Sequence, residues 1–300
     1  ETLNVPHLTV SSTTGDIGLD IKGTIKNLRQ EAPAWMADIQ HLDLSGKTIN
    51  FISENLKGKR VELPDIVNRL GNIHLKGKTT GQGIQHIITQ NVLSTDAGEV
   101  TVNMTLTDQH YFKGDINTSG LNLKRLLDNP QFGQIATQIA LNGELPKDGK
   151  FILNADGVVS NFHYNGYLYQ NIQLNGQYNK EGFHGKASIN DPNIGLDVEG
   201  HAEQKGRTKN VLLTAVLDHF SPKHVNLTDK WDEAVFSGNL SAEFVASNLN
   251  DAVGCIDLHG FTMSSPTSYY KLDSLRIESS YTEETHHITL NSDFGHVEIS

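Results

Sequence analysis

Glu99-Val-Thr-Val-Asn-Met-Thr-Leu-Thr107 is the stretch on which the fold turns. Val100, Val102, Met104 and Leu106 fall on one side of an extended chain, and Thr101, Asn103, Thr105 and Thr107 on the other. Apolar and polar residues alternating with period two describe a strand with one dry face and one wet face. The same split sets Leu19, Ile21 and Ile25 against Asp20, Lys22, Thr24 and Lys26, and Ile194, Leu196 and Val198 against Asp197 and Glu199. Strands buried between helices in a parallel sheet would read as continuous apolar runs, so this pattern predicts an antiparallel sheet covered on one side.

Glycine and Asn/Asp pairs punctuate the runs at Asn142-Gly143, Asn165-Gly166, Asn175-Gly176, Glu181-Gly182 and Ser237-Gly238, several of them candidate hairpin turns. Helical candidates are short: Pro64 to Leu70, Leu123 to Asp128 and Thr228 to Ala234. At about 12 residues per strand and turn, the chain supplies on the order of 25 strands. Tyr167 to Tyr178 aligns without gaps on Tyr270 to Tyr281, and a strand running into a short helix and out again occurs at Asp115 to Gly143 and near Val211 to Gly238. Both displacements are roughly 100 residues, the mark of a degenerate repeat. The expected organisation is one continuous array over 1–300, with repeat units near 114–217 and 218–300.

Composition narrows the function. The 300 residues carry 24 Lys+Arg against 35 Asp+Glu, a net charge of −11, with the basic residues scattered. No stripe is present to neutralise a phosphate backbone, so nucleic acid is excluded as a partner. Cys255 is the sole cysteine, which rules out an intrachain disulfide and any paired-cysteine zinc or redox motif. No apolar run approaches the ~20 residues of a membrane-spanning helix. A chain that opens on Glu1 and stops within the strand-like His296 to Ser300 reads as a fragment of something longer.

Enzyme signatures fail. Gly71 to Gly77-Lys78-Thr79 has one residue too many between its glycines for a phosphate loop, and Gly81-Gln82-Gly83 meets His86 where a dinucleotide fingerprint needs a small residue. His286 and His287, as neighbours on a strand, point to opposite faces and cannot share an ion. No pair of carboxylates is singled out. The expectation is a protein that is not an enzyme and carries no metal or cofactor.

What remains is geometric: many strands with an aliphatic face and too few helices to cover it. A curled, elongated all-β sheet would enclose an apolar trough suited to acyl chains. The expected groove lining is Leu19, Ile21, Ile25, Ile73, Leu75, Val100, Val102, Met104, Leu106, Leu196, Val198, Leu240 and Phe244, the dry faces of the clearest strands. Periodicity does not separate such a lining from a sealed core. The alternative is a tandem β-sandwich acting as an extracellular adhesin or carbohydrate-binding module, for which the cluster Tyr164, Tyr167, Tyr169 and Tyr178 would be the stacking platform.

A family pattern runs through the chain. Ile73-His-Leu-Lys-Gly77, the alternating Glu99 to Thr107, Gly114-Asp-Ile-Asn-Thr-Ser-Gly-Leu-Asn-Leu-Lys-Arg-Leu-Leu127 and Phe132-Gly-Gln-Ile-Ala-Thr-Gln-Ile-Ala-Leu-Asn-Gly143 resemble the AsmA-like superfamily. More narrowly they resemble its translocation and assembly module (TamB) group in the form found in Bacteroidetes-type bacteria. Phe236 to Phe244, Ile256 to Phe261 and Tyr270 to Tyr281 are similar to the next unit of such an array. The resemblance covers most of the chain as a loose pattern of Gly, Leu and alternation, without an invariant catalytic motif. It implies a long periplasmic protein anchored in the inner membrane of a Gram-negative bacterium, with a curled β-sheet of apolar interior (a β-taco). It further implies phospholipid movement toward the outer membrane, outer-membrane biogenesis and an Omp85-type barrel as partner. The anchor and the partner-docking domain of that family have no counterpart among these residues.

Overall fold

The computed structural model of the chain describes residues 1–12, 17–45, 48, 65–84, 86–107, 110–145, 151–246, 252–282 and 285–299. Among the described residues, 18 strands form one open antiparallel sheet. Wherever a register is described, a strand pairs with its neighbour in sequence, as period-two segments joined by short turns require. The chain divides into two compact units, Glu1–Phe151 with Ser160–His163, and Ile152–Val159 with Tyr164–Ser300. Unit 1 holds β1 (Thr2–Ser11), β2 (Gly18–Lys26), β3 (Ala34–Leu44), β4 (Ile73–Gln82), β5 (His86–Thr95), β6 (Gly98–Thr107), β7 (Tyr111–Asn122) and β8 (Phe132–Glu144). It also holds the short helices α1 (Asp65–Arg69) and α2 (Leu123–Leu127). Strand β9 (Ile152–Tyr164) contributes to both units. Unit 2 continues with β10 (Tyr167–Asn179), β11 (Gly182–Asp191), β12 (Ile194–Lys205), β13 (Thr208–Phe220), β14 (Val235–Ala246), β15 (Val253–Ser264), β16 (Tyr269–Thr282), β17 (Thr285–Ser292) and β18 (Gly295–Ile299).

Among the described residues there are fewer strands than the expected 25 or so, and they are long: β8, β9, β10 and β13 have 13 residues each. Three of the five glycine pairs taken as turn candidates lie inside strands. Asn165-Gly166 does form the β9–β10 turn, with φ of 49° and 78°, the left-handed pair that a tight hairpin needs. Gly143, Gly176 and Gly238 instead sit within β8, β10 and β14. A Cβ on Gly176 would come 3.1 Å from the Phe183 ring, so the glycine there makes room for a neighbour and not for a bend.

Of the helical candidates, Pro64 to Leu70 holds over its described residues as α1, and Leu123 to Asp128 holds as α2. Asn122 Oδ1 accepts from Arg125 N at 3.1 Å at its start, and Asp128 ends it with φ 53°. Thr228 to Ala234 is not a helix but a chain of turns. Trp231 and Glu233 have φ of 56° and 54°, which a right-handed helix cannot contain.

Among the buried apolar side chains, Ala136 and Val159 lie within β8 and β9, and others lie near strand ends. In unit 1 these include Ile73, Ala97 and Leu126, where α2 meets the β5–β6 turn; in unit 2 they include Tyr169, Ile194, Val225 and Ala234, around residues 221–234. Val225 has no exposed surface.

Candidate functional site: the apolar face

Directly opposed residues of antiparallel strands share a face, so the registers trace rows of side chains across each unit. In unit 1, Leu19, Leu42, Leu75, Leu93 and Val100 form one row over β2–β6. A second row runs Ile21, Ile39, Gly77, Asn91, Val102, Ile116 and Ile139, reaching β8. A third runs Ile25, Trp35, Gly81, Ile87, Leu106 and Phe112. Met104 stands between these rows, opposite Thr89 and Gly114, and Ile73 at the strand end, opposite Leu44 and Thr95. Gly81 is required by close approach: the Trp35 ring covers it so tightly that a Cβ would lie 2.5 Å from the indole, while Trp35 Nε1 donates to Gly83 O at 2.7 Å.

Unit 2 repeats the plan. Leu174, Ala187, Val198, Ala215, Leu240, Leu258 and Leu275 make an unbroken row over β10–β16. Beside it, Phe183, Ala202, Val211 and Phe244 form a second row, and Ile189, Leu196 and Leu217 a third. None of the side chains on these rows, in either unit, is charged.

Every residue expected to line a groove therefore stands on the apolar face of its unit. Apart from Ile73, at 9% exposure, all of them are half-buried and none is sealed. The residues that sequence reading missed belong to the same rows. Trp35, Ile39 and Leu42 escape it because a register slip near Gln40 breaks the alternation of β3. In Val211-Leu-Leu213 both phases are apolar, and only the register shows Val211 and Leu213 on the apolar face with Leu212 on the other.

The opposite faces carry the charge. Lys186 pairs with Glu199 at 3.0 Å, and Arg276 reaches Asp257 at 2.8 Å and Glu278 at 3.0 Å. An open depression of about 520 Å³ on that face of unit 2 is bordered by Asp156, Asn175, Lys186 and Glu199. Asn175 donates to Asp156 at 2.9 Å there, so these groups largely satisfy one another.

Polar groups at the strand ends serve the caps. In unit 2 the Asp191 carboxylate, 2% exposed, accepts from Tyr167 OH, from Asn193 N at 3.0 Å and from Gln170 N at 3.2 Å. Burial, then the bond to Asp191, pushes the Tyr167 phenol above its ordinary range; burial and the neighbouring Tyr167 do the same to Tyr169. Tyr169 is buried and Tyr167 is held by Asp191, so this part of the tyrosine cluster is built into the cap and is not free to stack on a sugar. In unit 1, Arg125 donates to Arg69 O at 2.7 Å and to Asp96 at 2.8 Å. Among the described residues, no group of three or more His, Cys, Asp or Glu is placed to hold a metal ion. No protein-family model, no curated protein and no solved structure matches the chain.

Proposed function

We propose that the chain is a segment of a lipid-transfer groove, in which phospholipid acyl chains lie against the apolar rows and headgroups stay toward water. The observation that carries this reading is the state of those rows: uncharged, continuous over β10–β16, and half-buried or, at Leu174 and Phe183, exposed. A face of that extent is stabilised by an apolar occupant, at roughly 0.8 kcal/mol for each CH₂ removed from water. An even aliphatic lining offers an acyl chain no fixed stopping point, so movement along it would be passive sliding. The resemblance to the AsmA-like superfamily supports the same reading. It extends the proposal to a periplasmic protein anchored in the inner membrane, serving outer-membrane biogenesis with an Omp85-type barrel as its distal partner. No helix among the described residues is long and apolar enough to cross a membrane.

Charge placed on the rows tests the proposal. Val102→Glu and Leu240→Glu are expected to lower the phospholipid retained per chain several-fold while leaving the circular dichroism spectrum intact. Val216→Glu, on the other face at a site already 50% exposed, is expected to change neither. Unaltered lipid in the first two variants, or their outright unfolding, would show that the rows are not an open lining.

A further inference from the structure

We propose that the polar face of unit 1 carries a binding site for a neutral saccharide, built on β5, β6 and β7 around Asp115. An open depression of about 430 Å³ lies there, within the range of about 300–1,000 Å³ that small-molecule sites occupy. Strand register builds it. Gln90, Asn103 and Asp115 are direct partners across the three strands, and beside them Ile88, Thr105 and Lys113 form a second row. These rows stand on the opposite side of the sheet from Val102 and Leu106, so the site is separate from the apolar lining. Asn103, Thr105 and Asp115 are half-buried and make its floor, while Ile88, Gln90, Tyr111 and Lys113 are exposed and make its rim.

The Asp115 carboxylate is fixed in place but not used up. Its Oδ2 accepts from Asn103 Nδ2 at 2.9 Å and from Asn117 Nδ2 at 2.6 Å, and its Oδ1 accepts no hydrogen bond among the described residues. Among the same residues, neither the Gln90 amide nor the Lys113 ammonium has a hydrogen-bond or ion-pair partner. A free acceptor, a free donor and an amide that does both suit the hydroxyl groups of a sugar, each of which donates one bond and accepts others. On the rim, Ile88 and Tyr111 are 40% and 41% exposed and offer apolar surface to its C–H faces. A carboxylate on the floor disfavours an anion, and Lys113, two residues along β7, disfavours a cation, so a neutral polyol is the class that fits. The depression of unit 2 differs. There Asn175 donates to Asp156 and Lys186 pairs with Glu199, so those polar groups are engaged with one another. That depression is the natural control.

The test is calorimetric titration of a panel of neutral sugars into the chain: glucose, galactose, mannose, N-acetylglucosamine and a disaccharide of each. Saturation-transfer NMR serves as a second readout for weak binding. Saturable binding of at least one of these sugars is expected. Its affinity should fall about tenfold or more in Asp115→Asn, fall about threefold in Lys113→Met and Gln90→Ala, and stay unchanged in Lys186→Met. Gln90 and Lys113 are exposed, so their variants still report if Asp115→Asn fails to fold. Absence of saturable binding by every sugar in the panel, affinity indifferent to Asp115→Asn or to both rim variants, or an equal loss in Lys186→Met would each overturn the proposal. Tighter binding of inorganic phosphate or spermidine at the same residues would overturn it too, by making this an ion site.

Discussion

The two units close their strand ends by different chemistry. Unit 1 uses the short helix α2, which buries Leu126 and is tied down by Arg125 at the surface. Unit 2 uses turns over residues 221–234, which bury Val225 completely, beside a carboxylate drawn out of water by Tyr167, Gln170 and Asn193. Their apolar faces differ as well. The rows of unit 1 are interrupted by Thr79, Thr89 and Asn91, where the two threonine hydroxyls lie 2.9 Å apart, while the central row of unit 2 is aliphatic throughout. With most of the face half-buried, the strand ends hold much of the sealed apolar surface of each unit. How those ends are closed sets where each unit is vulnerable.

The largest effect is expected at Asp191. Asp191→Ala leaves the Tyr167 hydroxyl and two backbone N–H groups without their acceptor and should cost about 2–4 kcal/mol in urea unfolding. Arg125→Ala, its counterpart in unit 1, should cost only about 1 kcal/mol, since Arg125 and Asp96 keep side-chain exposures of 43% and 38%. Equal losses in the two variants would break the contrast. Asn91→Leu removes a shielded, unsatisfied Oδ1 from the apolar face together with the bond that Asn91 Nδ2 donates to Thr89 Oγ1, and leaves the two threonine hydroxyls paired with each other. Stability should move by less than about 1 kcal/mol, and lipid retained by the chain should rise if the polar interruption limits uptake.

The smallest effect is electrostatic. The hydrogen bond to Asp218, followed by that to the Asp191 carbonyl and opposed by partial burial, holds His219 above its ordinary range. A raised folded pKa means that the protonated imidazole favours the folded state. Its contribution is therefore complete below the unfolded value of about 6.5 and is lost as pH rises through the folded value. Because Asp218 is 84% exposed, the change should stay under about 1 kcal/mol. Unfolding midpoints measured on either side of that window should fall slightly with rising pH in the wild type and stay flat in His219→Gln.

How much of this could be read in advance depended on whether alternation survived. Val100, Val102, Met104 and Leu106 announce their face because β6 contains no bulge, and both of its ladders keep register. Trp35, Ile39 and Leu42 do not, because the bulge at Gln40 shifts the phase partway along β3. The unit 2 cap was hidden for another reason: Asn226, Trp231 and Glu233 take φ of 54–58°, yet Trp and Glu carry no signal for a left-handed backbone. Asp191 gave no hint of burial, since its partners Tyr167 and Gln170 reach it from another strand.

Native mass spectrometry of the chain purified from bacterial membranes, paired with lipid extraction, tests the central claim most directly. An apolar face that holds acyl chains should carry phospholipid through purification, and Leu240→Glu should release it from a chain that remains folded. A folded wild-type chain free of lipid, which also takes up none from added vesicles, would contradict the groove and leave the apolar rows as packing surface alone.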